Sequence, residues 1–196
     1  MERNWLVMSK FFIHKTSFID QSALIKKGTK IWHFCNIMSN SSIGENCILG
    51  QNVFVGQNVI IGDNTKIQNN VSLYDGLICE EEVFIGPSVV FTNVINPRSF
   101  IERKNEFKKT FLLKGCSIGA NATIICGNKI GKYSLIGAGS VVNRAVKDFE
   151  LVVGNPIRHI GWVDIEGNRL RFDNEDKISV KGRTYELNNN KVTLLK

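Results

Sequence analysis

The sequence predicts an all-β solenoid of stacked triangular coils, interrupted by one external loop and closed by a small β tail, and three regularities carry that prediction. Large apolar residues recur every sixth position from Ile13 through Ile31, Leu49, Ile67 and Ile85 to Phe91, and again from Leu112 to Val142, giving twenty hexads. The third residue after most of these anchors is Asn or Gly, as at Asn40, Asn46, Asn52, Asn58, Asn64, Asn70, Gly76, Gly115, Asn121, Gly127 and Gly139. The fourth is mostly small or β-branched, as at Ser17, Thr29, Cys47, Val59, Val71, Ala122 and Ser140.

The physical reading of a hexad follows directly. The anchor points inward on a short flat strand, and the Asn or Gly accepts the left-handed backbone that turns the corner, a conformation costing other side chains about 1–2 kcal/mol. The small fourth residue fits beside the anchor. Three such corners close an 18-residue coil, and coils stack through parallel β pairing at about 4.8 Å. A β-sandwich fits poorly, because its strands alternate with period two and its turns are irregularly spaced.

Residues 1–12 form a lead-in whose Trp5-Leu6-Val7-Met8 is too short for a signal-peptide core. The prism spans 13–146, and residues 97–111, where the period fails, leave it as an external loop with five basic and two acidic residues. Long loops in compact proteins are uncommon and are usually functional. Residues 147–196 begin with the Gly154-Asn155-Pro156-Ile157-Arg158 turn. Arg169 to Phe172, Ile178 to Val180, Thr184 to Leu187 and Val192 to Leu195 follow as short strands, with Asn188-Asn189-Asn190 as a hairpin turn.

Composition narrows the function classes. A chain of 196 residues with 43% hydrophobic and 22% charged residues is globular rather than disordered, and no apolar run is long enough to span a bilayer. A net charge of +7 suits phosphorylated small molecules as well as nucleic acid. The cysteines Cys35, Cys47, Cys79, Cys116 and Cys126 match neither a redox pair nor a zinc-finger spacing, so free thiols in a cytoplasmic protein are expected. Register puts four of them inside the prism and turns Cys126 outward, where it should be the first to react.

The hexad pattern, the external loop in the last third and the closing Gly-Asn-Pro-Ile-Arg resemble the left-handed parallel β-helix acyltransferases. That resemblance implies a homotrimer binding acetyl-CoA between adjacent prisms, with no nucleic acid, membrane or metal involved. Ile31-Trp32-His33-Phe34, Leu49 to Gly56, Lys66 to Asp75 and Val90-Phe91-Thr92-Asn93 are similar to the enzymes that N-acetylate a 3-amino nucleotide sugar for surface polysaccharides such as O-antigen. Two subgroups compete. Val94 and Asn96, followed by Pro97-Arg98-Ser99, Arg103-Lys104 and Glu106-Phe107, look like those acting on UDP-2-acetamido-3-amino-2,3-dideoxy-glucuronate rather than on dTDP-3-amino-3,6-dideoxyhexoses.

Stacking by 18 places Lys15, His33, Gln51 and Asn69 on one edge, below Pro87, Ala120 and Ala138, and Gln57, Asp75, Asn93 and Cys126 on the next. Asn69 and Asp75 are the candidates to position or polarise the acceptor amine, and His33 is the one histidine inside the prism that can act as a base. An amine with a pKa near the about 8 of an α-amino group needs little such help, and the resemblance implies that the departing sulfur takes the proton. Gln68, Asn70, Tyr74, Phe91, Thr92 and Asn93 are candidate substrate contacts. Arg98, Arg103 and Lys104 supply forks and point charges for a diphosphate and a carboxylate. Ala120, Gly137, Ala138, Arg144, Pro156 and Arg158 are the candidate acetyl-CoA contacts, with amides near Gly137 as oxyanion donors. A zinc hydratase on the same scaffold needs three converging histidines, and His14, His33 and His159 do not share a column. A scaffold without catalysis is the remaining alternative.

Overall fold

The computed structural model describes residues 11–173 and 175–195; the Trp5-Leu6-Val7-Met8 stretch lies outside them. Twenty strands, from Phe12–Ile13 to Val141–Val142, coincide with the twenty hexads. All are very short, and each ends on its inward anchor. They stack into three parallel ladders, the faces of a left-handed β-helix. Face A begins Phe12–Ile13, Lys30–Ile31, Ile48–Leu49 and Lys66–Ile67; face B begins Phe18–Ile19, Asn36–Ile37 and Phe54–Val55; face C begins Leu24–Ile25, Ser42–Ile43 and Ile60–Ile61.

The corners behave as the Asn and Gly residues require. Asn40, Asn46, Asn52, Asn58, Asn64, Asn70 and Asn121 all have φ between 53° and 61°. Anchors such as Ile31, Ile37, Leu49, Ile67 and Ile85 are fully buried, forming one continuous column. Removing them from water is the main stabilising term, at about 1.5–3 kcal/mol per side chain.

Rungs are 18 residues apart until Phe84 faces Ser117 and Leu77 faces Thr110, which sets the external loop between faces B and C. The chain re-enters the ladder at Thr110, because Thr110–Leu112 pairs with all of Leu77–Cys79. Thr110 and Phe111, read from the sequence as loop, are therefore strand.

Two further features correct the sequence reading. Cys126 does not face solvent: it is 3% exposed, and all five thiols are buried. Its position is outward by register, but the returning limb of the loop covers that corner. Lys108 N–H donates to Asn93 C=O at 2.8 Å, and its side chain packs over Gly127. Burial raises the thiols of Cys35, Cys47 and Cys116 and pushes Cys79 up to about 12. The repeat also outlasts Val142, since Glu150–Val153 adds a parallel rung to face A with Val152 opposite Ile136.

The tail closes the prism. Arg158–Val163 turns back antiparallel to that rung, and a separate sheet of Lys177–Val180, Arg183–Asn188 and Lys191–Leu194 follows, with Asn189 and Asn190 at positive φ in its hairpin turn. A second small core joins it to the coils. Tyr133 stacks on Phe149 at 5.5 Å, and Phe149 meets Tyr185 edge-on at 5.8 Å.

Candidate active site

The prism distributes the predicted residues over two edges. Edge AB, between faces A and B, carries His33, Gln68, Asn69, Asn70, Ala120, Gly137 and Ala138, with Pro156 and Arg158 beyond the last rung of face A. Edge BC carries Tyr74, Asp75, Thr92, Asn93 and the loop with Arg98, Arg103 and Lys104. Within one chain, Asn69 and Asp75 are thus kept apart by the strand Ser72–Leu73 of face B.

On edge AB a groove of about 360 Å³ is lined by Trp32, His33, Gln51, Gln68, Asn69 and neighbouring backbone. Its corner geometry fixes Asn69. Asn69 Oδ1 accepts the Gln51 N–H at 2.8 Å, and it occupies the space where a Cβ on Gly50 would stand, 2.4 Å away. The absence of a side chain at Gly50 is what lets Asn69 fold down over the coil below, leaving its NH₂ group toward solvent. Asp75 leans over Gly56 in the same way. His33 packs ring to ring with His14 at 3.6 Å. Partial burial, then the charges of His33 and Lys15, lower the His14 pKa.

Higher on edge AB the side chains become small because the next coil passes close. A Cβ on Gly137 would lie 2.6 Å from Val153 Cγ1. The Gly137 N–H is spent on Val152 C=O at 2.8 Å and the Gly139 N–H on Ala120 C=O at 2.8 Å, so neither is an oxyanion donor. Among the described residues the Ala120 and Ala138 amides have no protein acceptor, which makes them donors on the upper coils of this edge.

Several candidates are placed elsewhere than expected. Phe91 is 3% exposed, as the inward anchor of its own hexad, and cannot touch substrate. Arg144 is bound to Glu150, with Nη2 3.0 Å from Oε1, so it is committed to the cap of the prism. Arg103 makes two 2.8 Å bonds to Glu106, Lys104 lies 3.3 Å from Glu102, and Arg98 donates to Pro97 C=O. The loop therefore neutralises much of its own charge. Thr92 Oγ1 accepts the Cys126 N–H at 3.0 Å, while Tyr74 is exposed and packs on Phe54 at 6.0 Å. Trp32 and Gln51 add to the predicted contacts, and 18-residue stacking is the signal that finds them, through Trp32, Gly50 and Gln68 in one column and His33, Gln51 and Asn69 in the next.

Comparison with known proteins agrees with the fold. The model for the bacterial transferase hexapeptide (six repeats) matches residues 22–57, and that for the hexapeptide repeat of succinyl-transferase matches 41–75 and 114–144. The chain is 42% identical over 80 residues to dTDP-3-amino-3,6-dideoxy-alpha-D-galactopyranose 3-N-acetyltransferase of Aneurinibacillus thermoaerophilus, covering 41% of this chain and 42% of that one. It is 34% identical over 77 residues to the galactoside O-acetyltransferase of Lactococcus lactis subsp. lactis, covering 38% of this chain and 37% of that one. The matched stretches thus span less than half of both curated relatives. A hexapeptide-repeat containing acetyltransferase of Vibrio cholerae O1 biovar eltor, solved in complex with acetyl coenzyme A, superposes with a TM-score of 0.56 at 28% identity, over 62% of this chain and 70% of that one. Three stretches of the prism thus match hexapeptide-repeat models, and in sequence and fold it is similar to the hexapeptide-repeat acetyltransferases.

Proposed function

We propose that the protein is an acetyl-CoA-dependent N-acetyltransferase acting on the 3-amino group of a nucleotide-linked amino sugar, with UDP-2-acetamido-3-amino-2,3-dideoxy-glucuronate as the first acceptor. The observation that carries this reading is edge AB itself. It sets a polar groove ending at Asn69 on the same column as Ala120 and Ala138, whose amides are free, with the Pro87 coil between. An acceptor in the groove and a pantetheine arm along the upper coils would share one line.

The chemistry asks little of the side chains. The amine lone pair attacks the thioester carbonyl, and the carbonyl oxygen gains charge that backbone N–H groups can hold. The C–S bond then breaks, and the sulfur leaves with the proton shed by nitrogen. Asn69 orients the amine through Oδ1, whose second lone pair accepts an amine N–H and leaves the nitrogen lone pair free to attack.

Asp75 and the loop lie on edge BC, so they reach this groove only from a neighbouring copy. A homotrimer supplies that arrangement. The outward residues of face B, including Phe18, Asn36, Phe54, Ser72, Val90, Thr123 and Val141, carry no charge, whereas face A carries Lys30 and Lys66. An uncharged flat face bordered by both edges is suited to packing against another copy. Cytoplasmic nucleotide sugars for polysaccharide assembly fit this reading.

A dTDP-3-amino-3,6-dideoxyhexose is the second reading, favoured by the Aneurinibacillus relative. Thiol release from acetyl-CoA, measured with each acceptor, separates the two. The UDP-uronate is expected to give at least tenfold higher kcat/KM, a difference of about 1.4 kcal/mol in transition-state binding. Preference for the dTDP sugar would reverse the order, and release with neither would remove the proposal.

A further inference from the structure

The shelf of rings at the lower end of the groove on edge AB lies two coils below Asn69, away from the reacting amine. Trp32 is 42% exposed, with the tilted Phe12 ring at 5.5 Å and the nearly parallel His33 ring at 6.2 Å. An exposed tryptophan held by neighbouring rings offers a rigid face for a planar ligand. One coil up at Gln51 and two coils up at Gln68, side-chain amides line the same groove and have no protein partner among the described residues. Each presents a donor and an acceptor, the pattern needed to pair with the carbonyl and imide edge of a pyrimidine.

The adjoining face supplies charge. Lys30 and Lys66 are the outward residues directly on either side of Ile48 in the face A ladder, and Ile48 lines the groove. Two rungs set their backbones about 10 Å apart, within reach of one bound group from both sides. Neither has a carboxylate partner among the described residues, in contrast to Arg103 and Lys104 of the loop. Free cations of this kind bind phosphate through charge-assisted hydrogen bonds.

We infer that this is the nucleoside diphosphate site of the enzyme: a pyrimidine base stacks on Trp32 with its edge toward Gln51 and Gln68, and the diphosphate lies over Ile48 between Lys30 and Lys66. The inference rests on the nucleotide-sugar reading above and moves the phosphate contacts from the external loop to face A. It also orients the acceptor, with the base at the lower coils and the sugar toward Asn69.

The test is isothermal titration of UDP and of dTDP into the intact protein, with no acetyl-CoA present. Base stacking on an aromatic face is worth about 1–3 kcal/mol, so Trp32→Ala should weaken binding about tenfold or more, with Trp32→Phe retaining most of it. The double variant Lys30→Ala, Lys66→Ala should weaken binding about tenfold and flatten its dependence on salt, while Arg98→Ala, Arg103→Ala should change it less than about twofold. All these side chains are at the surface except Arg103, and thermal melts check that each variant folds. Loss in the loop variant with none in the Trp32 and lysine variants would overturn the inference, as would absence of binding to the wild type. It would likewise fall if Trp32→Ala split the oligomer in light scattering while affinity held, since the shelf would then be a contact between copies. Wild-type binding without acetyl transfer to any amino sugar would instead remove the function and leave the site standing.

Discussion

Mixing two inactive variants, Asn69→Ala and Asp75→Ala, under conditions that exchange subunits should restore activity. The two side chains stand on different edges of one prism with face B between them, so a site using both takes edge AB from one chain and edge BC from its neighbour. Each single variant loses a polar contact to the reacting amine and should turn over about 10²-fold more slowly. In random mixed trimers about one site in four draws Asn69 and Asp75 each from a chain that retains it, so about a quarter of wild-type turnover should return. Subunit exchange is verified separately with tagged chains. No recovery in exchanged trimers would mean that Asn69 and Asp75 do not act in one shared site.

Glu150→Ala should strongly destabilise the cap. The carboxylate is 2% exposed; it takes Arg144 at 3.0 Å, the Lys147 N–H at 2.8 Å and His159 Nδ1 at 3.3 Å. Truncation leaves the Lys147 N–H unmatched and Arg144 without its partner, at a cost of about 3 kcal/mol. For a chain of this size that lowers Tm by roughly 10 °C. Burial alone would raise the Glu150 pKa, but the Arg144 and Lys147 hydrogen bonds, then the Arg144 and His159 charges, outweigh it and hold the value below 4.5. Because the folded value is the depressed one, this stabilisation is complete above the unfolded value and is lost as pH falls through the folded value. Denaturation of wild type and Glu150→Gln should therefore converge as the solution is made more acid than the unfolded carboxylate value. A difference that widened on acidification would contradict the assigned ion pair.

The prism was legible because every strand repeats one demand, a large apolar residue facing inward. Six-residue spacing from Ile13 to Val142 sufficed to place twenty strands and to sort Asn69 and Asp75 onto different edges. The last rung escaped because Val152 lies 16 residues after its partner Ile136 instead of 18, so the period hides it. Register also says which way a side chain points and not what later covers it. Cys126 points out as read, but the loop returns across its corner. The loop charges were overvalued for a related reason. Glu106 follows Arg103 by three residues in a single 3₁₀ turn, Lys104–Glu106, and that local pairing satisfies the guanidinium before any ligand arrives. Phe91 belonged to the hydrophobic period and to a motif at once, and packing decided the matter. The groove became visible only when Trp32, Gln51 and Gln68, far apart in sequence, were stacked into neighbouring coils.

The central claim is transfer of an acetyl group to a sugar nitrogen. It is tested most directly by incubating the protein with acetyl-CoA carrying ¹³C in the acetyl group and UDP-2-acetamido-3-amino-2,3-dideoxy-glucuronate, then following the acceptor by NMR and mass spectrometry. The label should appear as an amide on the 3-amino nitrogen, stable to mild alkali. Label recovered as an alkali-labile ester, or no label on the acceptor while acetyl-CoA is still bound, would contradict the account.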